Sequence, residues 1–166
     1  MVRPYFSILL VLLSLSLFGQ TADQIKEIKL KKKGDYRKAE SEILLNAKFV
    51  LTTPVDPENT TRGQAIQNLA MWMENTPDYR FIIDDAVIPV IQKDTDIMAV
   101  YIAGMIKFVL ENPDGSKDQN EIMFHAFSDL LDFCSHSENG IMITKEMKRA
   151  LEARNENKLK EYLKIQ

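Results

Sequence analysis

The chain has 166 residues, enough for one domain. Apolar residues make up 45% and charged residues 27%, the proportions of a water-soluble globule. The net charge of −3 argues against non-specific nucleic-acid binding, and a single cysteine, Cys134, excludes an internal disulfide framework.

The first residues stand apart from the rest. Arg3 is the only early charge, Tyr5 to Phe18 is nearly all apolar, and Gly19-Gln20 precedes a polar turn at Thr21. A basic start, a short apolar middle and a small residue at the end predict a signal peptide over residues 1–19, cut near Gly19. Its removal takes away Arg3 alone, leaving 20 basic and 24 acidic side chains. Residues 20–34 read as a basic, poorly ordered lead-in with Lys26, Lys29, Lys31, Lys32 and Lys33. A basic arm of this kind suits an acidic surface; a solvated approach to the first helix explains the same lysines.

Asp35 to Leu51 has helical spacing. Tyr36, Ala39, Ile43, Leu44, Ala47, Val50 and Leu51 form the apolar stripe, with Asn46 among the outward residues. Thr52-Thr53-Pro54 ends it. A second helix spans about Thr61 to Glu74 after a cap from Asn59, Thr60 or Thr61. It turns Ala65, Ile66, Leu69, Ala70 and Met73 inward with Trp72 beside them. Asp78 to Lys93 predicts a short helix after an extended Tyr79-Arg80-Phe81-Ile82-Ile83 stretch. Asp84-Asp85 would cap it and Pro89 would sit in its first turn.

Asp96 to Leu110 is apolar nearly all round, so it must be buried. About 14 apolar positions broken by Lys107 fall short of the roughly 20 a bilayer span needs, which makes it a central core helix. Asp94, Thr95 or Asp96 caps it, and Asn112-Pro113-Asp114-Gly115 stops it. Ala99, Ala103 and Gly104 leave room for close neighbours. Ser116 to Ser135 is a fourth helix, followed by an apolar link, Ile141-Met142-Ile143. Thr144 caps a short helix with Met147, Ala150 and Leu151. Asn155 is expected to cap a last one with Leu159, Tyr162 and Leu163.

Ala47-Lys-Phe-Val-Leu-Thr-Thr-Pro54 resembles Ile106-Lys-Phe-Val-Leu-Glu-Asn-Pro113, and the following helices and links align. The expected fold is therefore all-α. It has two stacked, solenoid-like helical hairpin units, residues 35–93 and 94–153, with a closing helix at 155–166. Internal duplication accounts for the likeness; so does chance between two amphipathic helices.

Chemistry is sparse. His125, His136 and Cys134 lack metal-ligand spacing, and no HExxH or CxxC occurs. Asp114 to Glu121 starts like a calcium loop, but its sixth and twelfth positions hold Gln119 and His125. Adjacent Asp84 and Asp85 suit a helix start better than an acid–base pair. Catalytic, cofactor-binding and metal residues are therefore expected to be none, and no cofactor is implied. Trp72, Tyr79 and Arg80 are of types enriched at binding hot spots and form the weak candidate contact patch; half-buried packing beneath one loop is the favoured account of the same residues. The expected function is a non-enzymatic, secreted or periplasmic protein-interaction module with a protein partner. Expected membrane contact is limited to export. The alternative is a small-ligand binder or small hydrolase with its pocket between the two hairpins.

Overall fold

The computed structural model describes residues 22–92, 94–114 and 118–165. Among them are eight α-helices, one 3-10 turn at Ser137–Asn139, and no strand. The helices are α1 (Lys33–Lys38), α2 (Glu40–Thr52), α3 (Thr60–Asn75), α4 (Ile88–Ile91), α5 (Thr95–Glu111), α6 (Gln119–Ser135), α7 (Lys145–Asn155) and α8 (Leu159–Tyr162). The expected leader, residues 1–19, lies outside the described residues. Among those described, no helix is long and apolar enough to cross a membrane.

The all-round apolar segment is α5, and it is central. It packs against α2, α3, α4 and α6. Asp94 caps it by accepting bonds from the N–H groups of Asp96 and Ile97. Ile97, Val100, Tyr101, Met105, Ile106 and Val109 are all buried. Burying each such side chain contributes roughly 1.5–3 kcal/mol, so packing rather than helix propensity holds α5.

Two pairs of consecutive helices, α2 with α3 and α5 with α6, pack together within each pair. In the first, Asn68 of α3 donates to Asn46 Oδ1 of α2 (2.9 Å), and Arg62 at the start of α3 reaches the Thr53 carbonyl just past α2 (3.3 Å). In the second, Gly104 of α5 lies against the backbone of Ala126 in α6. Asn59 caps α3, Asp118 caps α6 and Thr144 caps α7, each through its side-chain oxygen.

Several local expectations change. The first amphipathic stretch is two helices, because the chain bends at Ala39 between α1 and α2. Asn46 faces the core, and Ala70 faces solvent. The buried face of α3 is instead Arg62, Ala65, Asn68, Leu69 and Trp72. Polar side chains are tolerated there because each meets a fixed partner. Asp84 closes a turn by accepting from Ala86 N–H, four residues ahead of α4, whereas Pro89 does fall in the first turn. Asn155 ends α7 rather than capping α8, and Asn157 takes the left-handed conformation between them (φ 57°).

The lysine-rich lead-in is more ordered than its composition suggests. Ile25 and Ile28 are buried, and the backbone at Lys26 and Ile28 meets α3. Asn68 accepts from Ile28 N–H (3.2 Å) and donates to the Lys26 carbonyl (2.8 Å). One side chain thus satisfies two backbone groups of a segment that has no regular secondary structure of its own.

Candidate functional site

The candidate residues Trp72, Tyr79 and Arg80 meet at the 76–87 connection between α3 and α4, with different exposures. Trp72 is wholly buried, and its indole N–H donates to the Tyr36 carbonyl (3.0 Å). Tyr79 is half-buried with its ring 5.5 Å from that of Trp72, and Phe81 meets the indole edge-on at 6.2 Å. Trp72 is therefore an anchor for the connection and presents no surface to a partner. Arg80 is exposed, and its carbonyl accepts from the Gln119 side chain (3.0 Å), which ties the connection to α6.

Beside this anchor is an open depression of about 630 Å³ lined by Lys33, Gly34, Arg37, Lys38, Pro77 and Asp78. Arg37 is held to Asp78 at 2.9 Å. Burial, then the Asp78 charge, pushes the Glu40 carboxyl above its usual range. Burial, then Glu40, pushes the Tyr79 phenol up, and the two side chains share a hydrogen bond. Arg37, Asp78, Glu40 and Tyr79 thus engage one another at the rim of the depression.

The same connection carries Ile82 and Ile83, both exposed. Its counterpart after α6 is built alike. Gly140 turns the chain in the left-handed conformation (φ 74°) beside Val55. Asn139 holds the turn by donating to the Phe133 carbonyl (2.8 Å). Ile141 is then half-buried, Met142 and Ile143 are exposed, and Thr144 caps α7. Phe81-Ile82-Ile83-Asp84 and Ile141-Met142-Ile143-Thr144 therefore share one arrangement: an inward apolar residue, two outward ones and a residue whose side chain bonds a following N–H. The sequence matched Phe81-Ile82 to Met142-Ile143; burial shifts that register by one, setting Phe81 against Ile141, and no sequence feature pointed to the exposure. Four of the five exposed large hydrophobic side chains among the described residues are on them, Met142 at 84% and the rest near 40%.

The cysteine and histidines stay apart from both features. Cys134 is buried, and burial pushes its thiol up to about 12, far from a reactive thiolate. His125 stacks on Phe108 at 4.6 Å and reaches Glu121. His136 is at the end of α6 near Asp132 and Glu138. Among the described residues, no group of three or more His, Cys, Asp or Glu could hold a metal ion. Residues 115–117 of the calcium-like stretch lie outside the description, and Asp118 serves as the α6 cap.

No family model, curated protein or solved structure matches this chain. Its own geometry carries the functional reading.

Proposed function

We propose that this protein is a non-enzymatic, exported helical module that binds a protein partner through the two exposed apolar links, 81–84 and 141–144. The supporting observation is the concentration of exposed Ile82, Ile83, Met142 and Ile143 on two similarly built links. Isolated surface hydrophobics are ordinary, whereas paired ones on pinned connections lose little entropy when a partner covers them. Export follows cleavage near Gly19. The two hairpin units descend from an internal duplication, a reading supported by the repeated order of long helix, helix, apolar link and short helix.

The test places a photo-crosslinking residue at Met142, at Ile82 and, as a control, at Lys148. Crosslinks from both links to one protein of the exporting cell's envelope, absent at Lys148, support the reading. Ile83→Asp with Ile143→Asp, the probes staying at Ile82 and Met142, should abolish that crosslinked pair while leaving the thermal melt unchanged. Crosslinking equally strong at Lys148 overturns it.

A small-ligand reading has one supporting feature, a cleft of about 200 Å³ between the hairpins lined by Lys48, Leu51, Thr52, Lys107, Asp129, Asp132 and Phe133. Its lysines already pair with Glu111 and Asp129. Its volume is below the roughly 300–1,000 Å³ of ordinary ligand pockets, so the interaction reading is the stronger.

A further inference from the structure

A different part of the surface has a strong charge of its own. Residues 26–38 carry seven cations, Lys26, Lys29, Lys31, Lys32, Lys33, Arg37 and Lys38, against Glu27 and Asp35, on a chain whose net charge is −3. The segment is held in place. Ile25 and Ile28 are buried beneath it, Asn68 bonds its backbone, and Asp35 accepts from the N–H groups of Lys31 (3.0 Å) and Lys32 (2.9 Å). That acid is thereby bound to the backbone of the turn, and Lys31, Lys32, Lys33 and Gly34 are all exposed around it. Arg37 alone of the seven has a close acidic partner, Asp78, among the ion pairs described.

We propose that this fixed basic turn docks the protein on an anionic phospholipid surface. Charge complementarity supplies the attraction: lysines near an anionic bilayer each raise partition about fivefold, and a preordered turn loses little freedom on docking. Position in the chain favours a bilayer over a soluble polyanion. Lys26 follows the apolar run ending at Phe18 by only eight positions. Fully extended, that is about 28 Å, so during export, before the cut near Gly19, the turn would emerge beside the membrane. Buried Ile25 and Ile28 leave the docking electrostatic, without apolar insertion. The inference is independent of the apolar links, because neither Ile82 nor Met142 contributes to it.

The experiment measures co-sedimentation of the purified exported protein with phosphatidylglycerol-rich vesicles, neutral phosphatidylcholine vesicles and, separately, binding to heparin. Binding to the anionic vesicles alone is expected, and it should fade as salt approaches about 1 M, where screening reaches about 3 Å. Replacing Lys31, Lys32 and Lys33 by Glu should lower partition at least about a hundredfold. The matched triple Lys145→Glu, Lys148→Glu and Arg149→Glu should retain most of it. Circular dichroism melts establish that both variants fold. Equal binding to neutral vesicles, equal loss in the two triples, or binding to heparin alone overturns the proposal, as does no binding at all. Crosslinking from Met142 should be the same in the lysine variant, which separates failure here from failure of the partner reading.

Discussion

Gly104 of α5 and Ala126 of α6 touch backbone to backbone: a Cβ at 104 would stand 2.9 Å from the Ala126 Cα and 3.0 Å from its carbonyl oxygen. Alanine ordinarily favours a helix over glycine by about 1 kcal/mol. Here the obstacle is backbone, which cannot swing aside, and overpacking costs about 1–3 kcal/mol. Net of that preference, Gly104→Ala should lower stability by up to about 2 kcal/mol, and Gly104→Val by more still. Urea titration of both variants checks this; a more stable Gly104→Ala would refute the close approach.

Arg62 and Asp96 join the start of α3 to the start of α5. The guanidinium is almost fully buried, while Asp96 is about one-third exposed. Removing the acid strands a buried charge, and removing the base does not. Asp96→Ala should cost about 2–3 kcal/mol, less than for a wholly buried pair because water reaches Asp96. Arg62→Met, of similar length, should cost less. Chemical denaturation of both singles and the double gives the order; the reverse order would mean that the pair is not what holds these helix starts together.

Asn68 bonds the lead-in at two backbone groups, the Ile28 N–H and the Lys26 carbonyl. Asn68→Ala leaves the Ile28 N–H without its partner and should destabilise by about 1–3 kcal/mol. Its more telling effect is local. Trypsin should cut after Lys26 and Lys29 far faster in the variant than in the parent under native conditions. Equal cleavage in both would show that Ile25 and Ile28 hold the segment unaided.

Tyr101 is buried in the middle of α5, and its hydroxyl has no hydrogen-bond partner among the described residues. Burial, then the Asp84 charge, pushes the phenol far above its usual range. Removing a buried polar group without a partner relieves a desolvation penalty. Tyr101→Phe should leave stability unchanged or raise it by up to about 1 kcal/mol. A loss on that scale in a thermal melt would show that the hydroxyl is bonded after all.

The turn at residues 31–34 should respond to acid. Backbone hydrogen bonds from Lys31 and Lys32 hold Asp35 below the usual aspartate range. A depressed folded-state pKa stabilises above the unfolded value and is lost as pH falls through the folded one. The Lys31 and Lys32 amides should therefore keep their exchange protection at neutral pH and lose it only below about pH 4. Asp35→Asn should weaken it at every pH. Protection that persists in strong acid would remove Asp35 as the clasp.

Apolar spacing was enough to place the long helices, because a stripe at three and four residues has only one way to be buried. It misplaced the polar members of those helices. Asn46 was placed outward by its hydrophilicity and Ala70 inward as part of the apolar stripe, yet Asn68 meets Asn46 and the lead-in and so sets the buried face of both helices. Trp72, read as a contact residue, became the anchor of the 76–87 connection once Tyr36, Tyr79 and Phe81 surrounded it.

By itself the sequence determined that the chain is helical, that Ile97 to Val109 forms its interior, and that Gly104 permits a close neighbour. Those follow from periodicity, capping residues and side-chain size, which act locally. Only the tertiary structure decided that Arg62 and Asn68 turn inward and that Ile82 and Met142 turn outward. Those orientations depend on partners dozens of residues away, and local pattern holds no record of them.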